Sequence, residues 1–237
     1  MKLKKIYLIV SFALFFVLFV NLTEAKAMNT GFSTKEISEK TRSTFLSNFK
    51  VSLIKTVPER RGIRCFDVNE EGLIAIGQEG PQSKEVCVYT PQGEFLYGYV
   101  FESAQSFGVE WDKQNINLYL VRSDVIVSLD SDANVLDIKA VLDTTENNKY
   151  SDSLLYSTER VVGDTTYILR NDLGILNWIA LSYSQIITID GTGTERIIYD
   201  VNSTQLIKMI VVISSVCILF LVIAVITSQS IKSRHEN

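Results

Sequence analysis

Val86-Cys-Val-Tyr-Thr-Pro-Gln-Gly-Glu-Phe95 reads as a strand, a tight corner and a returning strand. Two β-branched residues and a tyrosine lead into Pro91-Gln-Gly93, where proline presets φ for the first turn position and glycine accepts a positive φ. The same pattern is written twice more. Val125-Ile-Val-Ser-Leu129 enters Asp130-Ser-Asp-Ala-Asn134 and leaves at Val135, and Ile186-Ile-Thr-Ile189 enters Asp190-Gly-Thr-Gly-Thr194 and leaves at Glu195. The first two corners lie about 40 residues apart, the length of one four-stranded repeat. The third comes after a longer interval, with the surplus between Leu142 and Trp178.

Outward from these corners, residues 62–205 break into short β-rich runs separated by Asn69-Glu-Glu-Gly72, Asp112-Lys-Gln-Asn115 and Arg122-Ser-Asp124. That spacing predicts a mostly β domain of three antiparallel four-stranded meander blocks, with a β-sandwich as the alternative. Residues 143–153 read as a polar connection, and the region around Trp178 as an extended apolar stretch. Residues 28–61 read as an N-terminal linker. In it Ser33-Thr-Lys-Glu36 fits a capping box for a short helix, and the alternation from Phe45 to Ile54 leads into a strand ended by Pro58.

Phe66-Asp-Val-Asn-Glu-Glu-Gly-Leu-Ile-Ala-Ile76, followed by Val-Cys-Val-Tyr-Thr-Pro-Gln-Gly-Glu-Phe, resembles the four-stranded blades of β-propeller proteins. The likeness covers residues 62–201. It implies blades set around an axis, although three blocks are fewer than the usual 4 to 8. The chain as a whole looks like membrane-anchored proteins of Gram-positive bacteria, a resemblance that implies no particular activity.

Both ends carry membrane signals. Met1-Lys-Leu-Lys-Lys5, apolar residues 6–20 and the small-residue box Ala25-Lys-Ala27 predict that residues 1–27 are a signal peptide. A signal anchor is the alternative, since the apolar run through Leu22 reaches the lower limit for a spanning helix. Residues 206–226 would form about 31 Å of helix, matching a hydrocarbon core of about 30 Å, so residues 206–228 are expected to cross the membrane. Lys2, Lys4 and Lys5 before the first run, and Lys232 and Arg234 after the last, assign both flanks to the cytoplasm. The main domain is then expected outside the cytoplasm at the cell membrane, with residues 229–237 as a cytoplasmic tail.

Residues 28–205 hold 25 of the 27 acidic side chains and 16 of the 23 basic ones. A domain that acidic offers no footprint for nucleic acid or for anionic headgroups. The single histidine, His235, lies in the tail, so imidazole-dependent triads and the usual zinc sites have no ligand in the domain. Asp130-Ser-Asp132-Ala-Asn134 opens like a calcium loop but has Val135 and Val141 where that loop needs glycine and glutamate. Asp67-Val-Asn69-Glu-Glu71-Gly72 keeps the glycine but places Gln78 at the twelfth position. Asp190-Gly-Thr-Gly-Thr-Glu195 lacks the third glycine of a dinucleotide fingerprint and reads as a hairpin turn.

Glu110, Asp112 and Asp67 are the candidate pair-forming carboxylates for a hydrolase. Tyr97, Tyr99, Phe101, Phe107, Trp111 and Tyr119 read as core, and Asn202-Ser-Thr204 matches a glycosylation acceptor. Ser214 and Ser215 are candidates for bonds across a helix pair, and Cys217 for a small apolar filler. The expectation is a non-catalytic binding or scaffolding module with no cofactor and no metal. Its partners are the lipid bilayer and a membrane or extracellular protein. Rival readings are an accessory or sensory subunit of a membrane complex and a carboxylate-only hydrolase. Cys65 and Cys87 are expected to stay unbridged, one strand apart.

Overall fold

The computed structural model describes residues 28–80, 83–103 and 105–235, so the expected leader in residues 1–27 lies outside the described residues. Each of the three sequence blocks is one antiparallel sheet. The first holds β3 (Ile63–Val68), β4 (Ile74–Glu79), β5 (Lys84–Tyr89) and β6 (Phe95–Phe101). The second holds β7 (Phe107–Asp112), β8 (Asn115–Leu120), β9 (Val125–Leu129) and β10 (Val135–Val141). The third holds β11 (Glu159–Val162), β12 (Thr165–Arg170), β13 (Gln185–Ile189) and β14 (Glu195–Asp200).

In every sheet the first strand lies at one edge, and these edges meet, β3 packing against both β7 and β11. Residues 28–61 are more than a linker. β1 (Thr34–Glu36) pairs with β10 and β2 (Val51–Ile54) pairs with β6, adding a strand to the outer edges of the second and first sheets. That pairing covers edges that would otherwise be templates for another chain. Between them α1 (Glu39–Asn48) is capped by Ser38, whose hydroxyl accepts from the Thr41 amide. The expected capping box at Ser33 lies in and beside β1 instead, because Ser38 is followed by residues free of strand partners.

The first sheet is the shared layer. Cys65, Ala75, Val86, Val88, Tyr99 and Phe101 on one face join Phe107, Val109, Leu118 and Val127 of the second sheet. Phe66, Ile74, Ile76, Cys87 and Tyr89 on the other face join Tyr167, Leu169, Ile186 and Tyr199 of the third. Burial on both faces explains the unbroken apolar stretches Ile74–Ile76 of β4 and Val86–Tyr89 of β5. The outer face of the second sheet is covered by Met28, Phe32 and Leu154, the last on α2 (Thr145–Tyr156), a helix standing where a polar connection was expected. Tyr97 and Trp111 are partly buried against the core, and Phe107 and Tyr119 lie within it.

Cys65 and Cys87 are free, with β4 between them and opposite faces of the sheet beneath them. Burial pushes both thiols up from 9.0 to about 12. A raised folded-state value contributes stability that is complete below pH 9 and is lost as pH rises through about 12. Both thiols should therefore resist Ellman's reagent at pH 8 until urea unfolds the chain, and urea melts should weaken progressively above pH 9. Rapid labelling of the folded protein at both positions would contradict the packing.

The three corners quoted above are one structure repeated. In each, Thr90, Asp130 or Asp190 accepts side-chain bonds from the amides two and four residues on. In each, its own amide bonds the carbonyl four residues on. The fourth residue has φ of 83, 67 and 83° at Gly93, Ala133 and Gly193. Only the middle copy carries a Cβ there, and a left-handed conformation costs a non-glycine residue about 1 kcal/mol. Ala133→Gly should accordingly raise the Tm by about 2–4 °C. A fall would show that the methyl's packing outweighs the strain it carries.

Candidate functional site

The long interval before the third corner holds α2 and, within the third sheet, a second insertion. Residues 171–184 join β12 to β13, where the equivalent links in the other sheets are short, and include a 3₁₀ turn at Gly174–Ile179. Tyr183 pairs back onto Ile63, the first residue of β3, through both backbone groups. The insertion thus walls a cleft of about 380 Å³ whose other sides are Arg64 and Glu79 of the first sheet, Phe107 of the second and Tyr156 of α2. Arg64 donates to the Leu181 carbonyl and lies 3.7 Å from Glu79, which also binds Lys84. The Asn171 amide oxygen in this wall is buried without a partner.

The insertion that walls the cleft also carries exposed apolar side chains. Ile175, Trp178 and Leu181 are 86, 85 and 87% exposed, the most open large hydrophobic side chains of the sheet domain. Beside them begins α3 (Asn202–His235), whose residues Asn202–Ala224 are long and apolar enough to cross a membrane. Gln205 ties the helix to the insertion by donating to the Ser182 hydroxyl and the Tyr183 carbonyl. A second cavity, about 310 Å³, lies between Ile179 and Leu181 on one side and Met209, Val212 and Ile213 on the other. Arg61, Arg64 and Lys208 gather at this end of an otherwise acidic domain, each matched by Glu59 or Glu79 at 2.9 to 3.8 Å. Within α3, the Ser215 hydroxyl donates to the carbonyl of Val211, one turn back on its own helix.

The predicted carboxylates are elsewhere and committed to the backbone. Asp67, on β3, accepts from the Trp111 amide at 2.8 Å and from Arg160 Nε at 2.9 Å, and its carbonyl accepts from the Trp111 indole at 3.3 Å. The Arg160 guanidinium also covers the Phe66 ring at 5.4 Å. One carboxylate therefore joins all three sheets. Burial raises its pKa, and the Trp111 amide and Arg160 oppose that rise.

Glu110 accepts from the Gly31 amide, from the Tyr150 hydroxyl at 2.5 Å and from Asn117, while Asp112 accepts from the Asn29 amide. Asp130 and Asp190 cap their own turns, as does Asn69, which accepts from Glu71 and Leu73. Among the described residues no three acidic, cysteine or histidine side chains converge as a metal site would require. Sequence reasoning had no signal for the cleft, because Arg64, Tyr156 and Asn171 meet only through the packing of three sheets.

Removing Asp67 leaves Arg160 and the Trp111 amide unpaired at a part-buried contact, which costs about 2 kcal/mol. Urea melts of Asp67→Ala should show that loss, and Asp67→Asn, which keeps an acceptor for Trp111, should lose about half as much. Equal losses would assign the whole effect to the charge.

No family model, curated protein or solved structure matches this chain.

Proposed function

We propose that the chain is a membrane-anchored, extracytoplasmic module that binds or scaffolds a partner without catalysis, built as a propeller-like fan of three blades on the C-terminal helix. The observation that carries the reading is the cleft at the anchor end. Side chains from the first and second sheets, from α2 and from the insertion at residues 171–184 line it, its wall includes an unpaired Asn171 acceptor, and the insertion carries exposed Trp178 and Leu181 beside the start of α3. Aromatic and apolar side chains at that height fit the interfacial zone of a bilayer, where an indole ring is at home. Large exposed apolar groups at the mouth of a polar cleft also suit a partner held against the membrane.

The leader is cut in this reading. Residues 22 to 28 reach at most about 20 Å when fully extended, which is about the height of a six-residue strand. Asn29 docks beside Asp112, at the far end of β7 from Phe107 and the cleft. A leader retained as an anchor would have to be drawn taut along the whole sheet.

An accessory subunit of a membrane complex is the second reading. It is favoured by the apolar groove between Leu181 and the helix residues Met209, Val212 and Ile213, which a neighbouring helix could fill.

The test uses the full chain in lipid nanodiscs. Trp178 fluorescence, obtained as the difference from Trp178→Phe, should be quenched by lipids brominated near the headgroup and shielded from aqueous iodide. A photoreactive residue in place of Tyr156, on the cleft rim, should give a discrete adduct in cells that Arg64→Ala weakens. Iodide access to Trp178 together with no adduct at Tyr156 would reject the reading, and an adduct from Met209 instead would favour the complex subunit.

A further inference from the structure

Residues 28–33 lie across the outer face of the second sheet, and their backbone is held at every other residue by side chains rather than by a strand. Asn29 donates its amide to Asp112 Oδ2 at 2.8 Å, and its carbonyl accepts from Asn117 Nδ2 at 2.8 Å. The Gly31 amide donates to Glu110 at 2.8 Å, and Asn147 bonds both the amide and the carbonyl of Ser33. The Met28 and Phe32 side chains are buried beneath this segment. A Cβ on Gly31 would meet the Tyr150 ring at 2.2 Å, so the backbone lies as close to α2 as a chain can.

Around the start of this segment Glu110 is met by three hydrogen-bond donors, whereas Asp112 and Asn117 are left short. Glu110 and Asp112 are buried, at 7 and 8% exposure, and neither forms an ion pair among the described residues. Asn117 is fully buried and its Oδ1 has no partner. Buried carboxylates are ordinarily compensated by a cation, and buried amide oxygens by a donor. The nitrogen of Met28 is one residue from the Asn29 amide. Peptide geometry puts consecutive nitrogens within about 3.7 Å, so the Met28 nitrogen lies within about 6.5 Å of the Asp112 carboxylate. In an intact chain that nitrogen is a neutral amide. Immediately before it stands the Ala25-Lys-Ala27 box.

We infer that the peptide bond between Ala27 and Met28 is hydrolysed by a membrane-bound peptidase of the leader-processing type, and that the ammonium so created at Met28 is the missing counter-ion of Asp112 and donor to Asn117. The C–N bond breaks, the oxygen of water stays with Ala27 as part of its carboxylate, and both protons of that water end on the Met28 nitrogen, one of them by exchange through solvent, to give the ammonium. Export and folding are thereby linked, since the cut that frees the domain from its leader also supplies the cation that its far end lacks. Lys26 is the rival cation in an uncut chain, and it leaves with the leader when the chain is cut. This inference rests on the outward-facing reading but not on the cleft, and the experiment below reads only the amino terminus.

The full chain is purified from membranes, its first residue is identified by mass spectrometry, and its α-amine is acylated with a succinimidyl ester at pH 7. The expected terminus is Met28. Its acylation should be about tenfold slower in the folded protein than in urea, because a neighbouring carboxylate holds the amine protonated. Asp112→Asn should restore most of the rate. Should that variant fail to fold, the folded-to-unfolded ratio of the wild-type chain still decides. A terminus upstream of Met28, or a Met28 amine that reacts equally fast folded and unfolded, overturns the inference.

Discussion

The fan depends on Asp67. Three separate sheets have no continuous ladder of backbone bonds between them, so their inner edges need some directional contact besides apolar packing. Asp67 supplies it from the middle sheet, gripping the backbone of β7 on one side and Arg160 of β11 on the other. A neutral residue would satisfy the Trp111 amide but not Arg160, and a longer acid would displace the edges from each other. Asp67 and Arg160 keep only 16 and 19% of their side-chain surface open, which limits the water that would weaken a charge pair.

Around that clasp the first sheet is buried on one face by the second sheet and on the other by the third, and this decides which residues tolerate change. Cys65 faces the second sheet and Cys87 the third, so each fills a different interface although one strand separates them. Arg60 and Tyr199 seal the contact with the third sheet: the guanidinium lies 5.1 Å over the Tyr199 ring and donates to the Gly93 carbonyl. A side chain at Gly93 would reach the Ile198 carbonyl at 2.3 Å, which fixes how closely the hairpin corner of one sheet meets the last strand of another.

How much of this was legible in the sequence follows from the range of the physics involved. The strands and their corners rest on local rules, β-branched runs and side-chain caps at Thr90, Asp130 and Asp190, and they could be read directly. α2 could not. It buries only Asn147 and Leu154, so it has no apolar stripe of helical period, and its stability comes from residues 28–33 and the sheet on which it lies. The 3₁₀ turn at Gly174–Ile179 hides for the same reason, as its apolar side chains face outward. The first 34 residues of the domain look like a linker because their partners, β10 and β6, are distant in sequence. The acidic total of residues 28–205 averages over Arg61 and Arg64, which stand with Lys208 at the end beside α3, each against a glutamate.

The two ends of the fan therefore differ in kind. At the end away from α3 the corners after the third strands close with the same side-chain caps and the same left-handed residue, and a turn so constrained leaves little room for variation. At the other end the repeat is interrupted by α2 and by residues 171–184, and the second of these brings the Tyr183 pairing to β3, the Gln205 tie to α3 and the exposed Trp178 together. A loop placed by rigid strands on both sides can carry exposed apolar groups without unsettling the core. The strand pairing fixes the fold, and the insertion sets how that fold meets what lies beside the helix.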